Sequence, residues 1–289
     1  MRLVFVHGMR QEKQEANALR KAWEEALCAA WQKLGLAIPA YDLEMPFYGK
    51  VLGDLVDAVH QKGNIVARGG DASKMSPVED ALIKDYATKL GISDDEVQLE
   101  MGQEILARGA ANWEWVQGIA RVLVQKFPIA GELALDFVVQ VDAYLTRPHI
   151  TKAVNDIVRP AIEKEPAVIV SHSLGTIVSY AVLKNPQSSA NAPLFMTLGS
   201  PLGIPTVRSR LGSKNLSVPK DVGRWVNGTD QRDYVALYAE LSTLPSPPTI
   251  ENIIGIHNRL SDAHQILDYL AQEPVAKAIH AGLTATSPK

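Results

Sequence analysis

The chain has a single cysteine, Cys28, in 289 residues. No internal disulfide can form and no cysteine-built metal site is possible. Set between Leu27 and Ala29, the thiol reads as a packed helical side chain. Charge imbalance is also small: 29 Lys and Arg face 32 Asp and Glu, a formal net charge of -3, so there is no electrostatic case for a nucleic-acid partner. A small or neutral ligand is expected instead. No uninterrupted apolar run approaches the ~18 residues of a membrane span, which argues against an integral membrane segment. The opening MRLVFVHGM reaches Gly8 too early to hold the apolar core of a signal peptide, and a cytoplasmic location is the expectation. Internal repeats are lacking, and the one Pro/Ser-rich stretch, LPSPPT at 244–249, reads as a loop.

What is present describes a globular protein, with 46% hydrophobic and 21% charged residues and a length suited to one domain carrying an insertion. Compact apolar runs rich in β-formers predict strands at Leu3–Val6, Tyr41–Met45, Ala167–Val170, Leu194–Leu198, Arg224–Asn227 and Ile250–Ile256. Helical spacing predicts helices at Gln11–Leu34 and Thr151–Lys164, after Gly175 and after His264. Between Lys50 and Tyr144 only helical segments are found: Val51–His60, Pro77–Leu90, Asp94–Ala107, Trp113–Phe127 and Gly131–Tyr144, parted by breaks such as RGGDAS. The expected architecture is α/β, a mostly parallel sheet flanked by helices. Residues 1–49 and 150–289 supply its core and 50–149 a helical insertion.

The stretch VIVSHSLGTIVSY, Val168 to Tyr180, changes from strand to helix within a few residues, with Ser173 at the tip. A serine hydroxyl is a weak nucleophile that needs a base for its proton and donors for the oxyanion it generates. A strand-to-helix elbow exposes the oxygen and aims the next N–H, here that of Leu174, at the developing charge. Gly175 permits the close approach of strand and helix. Ser171 stands where glycine is usual, a small replacement whose hydroxyl can turn to the local backbone. His172, beside the nucleophile, is expected to point away and to pack or bond locally. Upstream, the strand ending in His7-Gly8 places the N–H of Met9 as a second oxyanion donor, with His7 ordering its loop.

An acid and a histidine should follow in that order. Asp233 in WVNGTDQRDYVAL lies beyond a strand candidate and just before an apolar restart; Asp230 on the same loop is the alternative acid. His264 in SDAHQILDYL follows the last strand and is preferred to His257, which lies close to that strand's end. His60, His149 and His280 show no ligand-like spacing with carboxylates, and no metal is expected.

These motifs, VFVHG, VIVSHSLGTIVSY, LFMTLGSPLGI, RWVNGTDQRDYVAL and DAHQILDYL, occur in the order seen in α/β-hydrolase-fold serine esterases and lipases. The chain resembles that superfamily over roughly 2–49 and 150–280, especially its lipase-like bacterial members. It departs from the family pattern in starting at the strand before the His-Gly loop, so the expected sheet is shortened at its N-terminus. The resemblance implies a Ser173, Asp233, His264 triad. It also implies an oxyanion hole from Met9 and Leu174, and a site base lined by Gly199, Ser200 and Pro201. The insertion would be a cap, with Trp113, Trp115, Val116, Ile119, Val122, Leu123 and Phe127 as candidates for an acyl pocket or lid, although residue by residue such an apolar helical stripe reads more readily as packed core. The activity implied is cofactor-free cleavage of a small-molecule ester or lipid-like substrate. Other readings are a thioesterase, a membrane-surface phospholipase, or a binding protein that keeps the hydrolase scaffold.

Overall fold

A computed structural model describes residues 1–60, 75–101, 113–164, 166–212, 215–242 and 248–285. Its strands are β1 (Arg2–Val6), β2 (Asp42–Glu44), β3 (Ala167–His172), β4 (Ala192–Leu198), β5 (Val222–Gly228) and β6 (Ile250–Ile253). They form one parallel sheet in the order β2-β1-β3-β4-β5-β6. The central strands are fully buried, as a sheet covered on both faces requires, which is why each reads as a continuous apolar run and not as an alternation.

Side-chain alternation divides those strands between two cores. Leu3, Phe5, Val168, Val170, Leu194 and Met196 pack against Trp23, Leu27 and Trp31 of α1 (Ala16–Lys33). The same core takes in Tyr269 and Leu270 of α10 (Ile266–Ala271) and Ile279 of α11 (Glu273–Thr284). On the opposite face Val4, Val6, Ile169 and Phe195 join a larger core built with the remaining helices. These are α2 (Gly49–His60), α3 (Pro77–Leu90), α4 (Asp94–Met101), α5 (Trp113–Lys126), α6 (Pro128–Thr146), α7 (Pro148–Glu163), α8 (Leu174–Leu183) and α9 (Pro205–Arg210). No strand lies between β2 and β3 among the described residues, and the helices of that stretch share their core with the sheet.

Local chemistry explains where predicted boundaries hold. Helix α3 starts and stops where the sequence places it: Ser76 forms a capping box with Glu79, Pro77 opens the first turn, and Gly91 closes the helix at φ 65°. Helices α6 and α7 begin earlier than apolar periodicity suggests because Pro128 and Pro148 occupy their first turns. Helix α1 begins later than predicted. The chain at Gln11 packs against α2, where a Cβ on Gly49 would stand 2.9 Å from the Gln11 backbone, so 11–15 remain a loop. Strand β6 ends before Ile256, and the chain turns at Gly255, φ 80°. Helix α9 and the short 3-10 turn Pro201–Gly203 are unforeseen. The predicted break RGGDAS, residues 102–107 of the third predicted insertion helix and most of LPSPPT lie outside the described residues.

The strand order places a switch point between β1 and β3, since the chain leaves β1 toward one side of the sheet and returns to β3 on the other. In open parallel sheets ligands bind at such a point, beyond the carboxyl ends of the strands. There, the loop His7–Met9 faces the turn at Ser173.

Candidate active site

Strand β3 passes into α8 through Ser173 alone, at φ 54° and ψ −131°. A non-glycine residue there costs on the order of 1–3 kcal/mol and persists only when its surroundings fix it. They do so here. Ser173 N–H donates to the Leu198 carbonyl at 3.1 Å, while its own carbonyl accepts from the Thr176 amide and hydroxyl at 2.9 and 2.7 Å. With its proton committed to Ser173, Thr176 Oγ1 accepts from Ser200 Oγ at 2.9 Å. Ser171 keeps its hydroxyl within the core, 2.7 Å from Ser179 Oγ on α8, so the departure from glycine adds a bond across the elbow. Ser171→Ala alone is expected to cost about 1 kcal/mol, and Ser171→Ala with Ser179→Ala less than the sum of the two single changes. Urea unfolding of the four-member cycle measures this; a coupling of zero would exclude the bond as a support of the turn.

The loop after β1 is pressed against this elbow. A Cβ on Gly8 would stand 2.5 Å from Ser173 Cβ, so only glycine fits. His7 accepts the Tyr48 N–H on Nε2 at 3.2 Å, which leaves Nδ1 to donate to the Gly8 carbonyl at 2.8 Å. The Tyr48 hydroxyl donates to the His7 carbonyl. Burial holds His7 down at about 4, against the opposing pull of the Gly8 carbonyl, so the ring is a neutral brace. Arg10, itself at φ 58°, pairs with Asp136 of α6 and ties the loop to that helix. Leu174 is the first residue of α8, where a helix leaves its N–H groups without intrahelical acceptors, and Met9 lines the cavity in front of Ser173.

The loops after β5 and β6 bring in the other two groups. Asp233 Oδ1 accepts the N–H groups of Val235 and Ala236 at 2.9 and 3.0 Å, and Oδ2 accepts His264 Nδ1 at 2.8 Å. Because a carboxylate oxygen can only accept, His264 carries its proton on Nδ1, and in the neutral ring Nε2 holds a lone pair. His264 Nε2 and Ser173 Oγ are both buried, neither has a hydrogen-bond partner among the described residues, and both residues line one cavity of about 200 Å³. Gly199, at φ 54°, gives the pair room: a Cβ there would lie 2.8 Å from Asp233 Oδ2.

Asp230, the alternative acid, is engaged elsewhere. Its carboxylate takes Arg232 Nε and Nη2 at 2.9 and 2.6 Å and the Asn258 N–H at 2.7 Å. Burial alone would raise this carboxyl, but bonds from Arg232 and Asn258 bring it below the ordinary range. His257 is exposed, and its carbonyl accepts from Gln272. No cluster of three or more metal-ligating side chains occurs among the described residues.

Two neighbours are more closely involved than sequence reasoning expects. His172 packs and bonds, but its partner is the candidate base: its ring lies on that of His264, centroids 4.4 Å apart, and its Nε2–H donates to the His264 carbonyl at 2.9 Å. Burial, then the adjacent His264, holds His172 well below the usual imidazole range, so it stays neutral. The Tyr269 hydroxyl donates to Asp233 Oδ2 at 2.8 Å. Its place five residues after His264 in HQILDY is the only hint that the sequence offers.

The apolar stripe of the insertion packs as core, the commoner outcome for such a pattern. Trp115, Val116, Ile119, Val122 and Leu123 are buried in the core, because α5 lies between α3, α4 and α6 and turns its apolar stripe inward. Phe127 packs on Tyr234, and the side chain of Trp113 lies outside the described residues. Among the described residues it is α6 that borders the candidate site. Leu133 borders the cavity at Ser173, and Ile129, Ala130 and Leu133 face Tyr234 and Leu260 across a neighbouring groove of about 340 Å³ that also reaches His264.

Comparison with known proteins finds no family model, no curated protein and no solved structure that matches the chain. The α/β architecture is compatible with the α/β-hydrolase resemblance.

Proposed function

We propose that the chain is a serine hydrolase that cleaves carboxylic esters, with Ser173 as nucleophile, His264 as general base and Asp233 as its orienting acid. One observation carries the reading. The Asp233–His264 bond fixes the tautomer that leaves Nε2 able to take a proton, and that nitrogen and Ser173 Oγ are both unpartnered in one cavity at the switch point of the sheet. In the proposed reaction Ser173 Oγ attacks the ester carbonyl carbon as Nε2 takes its proton. The oxyanion is met by the N–H groups of Leu174 and Met9, and imidazolium returns the proton to the leaving alkoxide. Water, deprotonated in turn by Nε2, then releases the acid from the acyl-serine. The residues named need no metal or organic cofactor for these steps.

The groove beside His264 supports an ester with an apolar portion, since Ile129, Leu133, Tyr234 and Leu260 dominate its walls and Arg232 at its edge is occupied by Asp230. Among the described residues no helix is long and apolar enough to cross a membrane. The test is covalent labelling by a serine-reactive alkyl phosphonate, read by intact mass. Wild type should gain one adduct and Ser173→Ala none; an adduct that persists in Ser173→Ala would overturn the assignment.

A further inference from the structure

Asp233 is saturated by four donors, and the fourth is not required by a three-residue mechanism. Tyr269 is wholly buried on α10, the helix that follows His264. Its oxygen accepts the Asp230 N–H at 3.0 Å, so its single proton is directed to Asp233 Oδ2, 2.8 Å away. That oxygen also takes His264 Nδ1 at 2.8 Å. One carboxylate oxygen therefore divides its charge between a phenol and the imidazole.

We propose that Tyr269 is a positioning residue of the candidate site, which fixes the Asp233 carboxylate and moderates its hold on His264 by sharing Oδ2. The inference rests on the hydrolase reading for its kinetic consequence, but not for its structural one. A donor to Oδ2 withdraws negative charge from the atom facing Nδ1. Without it the carboxylate pulls harder on the imidazole proton, imidazolium is favoured, and the base stays protonated to higher pH. The phenol cannot substitute as a proton source: burial, and then the charge of Asp233, push its ionisation far above the ordinary range.

The other groups facing this pair are accounted for. His172 from β3 is neutral and bonded to the His264 carbonyl. Tyr86 from α3, near Asp233, donates to the Val235 carbonyl at 3.3 Å and is also raised by burial. Asp230 is neutralised by Arg232; Arg10, which lines the cavity with His264, is paired with Asp136; and Asp262 accepts the backbone N–H of His264 at 3.1 Å. None of these bonds to Oδ2, so Tyr269 is the group whose removal changes the charge seen by Nδ1.

The experiment compares wild type with Tyr269→Phe and with 3-fluorotyrosine placed at 269, a stronger donor of nearly the same shape. Proton NMR reads the His264 Nδ1–H resonance, and turnover of a nitrophenyl ester reads the acid limb of kcat/KM. In Tyr269→Phe the resonance should move downfield and the acid limb upward by about half a pH unit, with kcat about tenfold lower and KM little changed. Fluorotyrosine should shift both the resonance and the limb the opposite way. Asp230→Asn, which disturbs the same loop without touching Oδ2, should lower Tm and leave the resonance in place. A resonance unmoved in fluorotyrosine protein overturns the proposal, whether or not Tyr269→Phe folds. Should wild type turn over no ester, the hydrolase reading fails while the two NMR shifts still decide the role of Tyr269.

Discussion

Asp233→Asn is expected to lower kcat for ester turnover by about 10⁴, whereas Asp230→Asn should leave turnover within tenfold and cost about 1–3 kcal/mol of stability. The difference follows from which donors each carboxylate receives. Four donors converge on Asp233, two backbone N–H groups on Oδ1 and the Tyr269 hydroxyl with His264 Nδ1 on Oδ2. An amide has one accepting oxygen, so either orientation sets its NH₂ against two other donors. With the NH₂ facing His264, the ring is driven to the tautomer that carries its proton on Nε2, where it can no longer accept one from Ser173. That tautomer change accounts for a kinetic loss much larger than the change in folding. Asp230 instead bonds Arg232 and Asn258, holding the loop in which Asp233 sits. Steady-state kinetics and urea unfolding on both variants separate the two roles; a 10⁴-fold loss in Asp230→Asn and a mild one in Asp233→Asn would exchange them.

The residues legible in the sequence are those whose chemistry and local pattern coincide. Strands β1, β3 and β4 are buried on both faces, so their apolar runs are unbroken and end where the chain leaves the sheet for the site. Ser173 and Asp233 are identifiable as residue types suited to such chemistry shortly after a strand, and His264 as one just before the helix that follows the last strand, in a fixed order. Asp230 and Asp233 could not be separated by spacing alone, because the loop conformation decides which carboxylate turns inward and which takes Arg232. The contact of His172 with His264 and the part played by Tyr269 are not legible for a similar reason. A histidine on a strand and a tyrosine on a helix look like packing residues until the sheet brings the one against His264 and α10 brings the other against Asp233. The helix that stands beside the candidate site is not singled out in the sequence, for the opposite reason. The apolar stripe of α5 is the more conspicuous pattern, and a stripe of that kind is buried by its neighbours, which leaves the exposed start of α6, with Ile129, to face the groove.

The second large effect concerns Gly175, where fold and chemistry meet. In an ordinary helix Gly→Ala stabilises by roughly 0.5–1 kcal/mol. Here a Cβ would be driven into the backbone carbonyl oxygens of Val6 and His7. Neither can give way easily: Val6 is the last residue of a strand paired on both sides, and the His7 carbonyl accepts the Tyr48 hydroxyl. Overpacking against rigid backbone costs about 3 kcal/mol, which exceeds the helical gain several-fold, so Gly175→Ala should be strongly destabilising. The strain has one outlet, movement of α8 away from β1, and that movement withdraws the Leu174 N–H and relaxes the turn at Ser173. Phosphonate labelling of whatever folds should therefore slow by about 10²-fold or more, the order expected for one misplaced oxyanion donor. Gly35 provides the comparison: it sits at φ 68° with nothing within 4 Å of a Cβ, so Gly35→Ala meets only the backbone cost of about 1 kcal/mol and should label at the wild-type rate. If Gly175→Ala unfolds at the wild-type urea midpoint, the contact between β1 and α8 is looser than described, and the elbow does not depend on it.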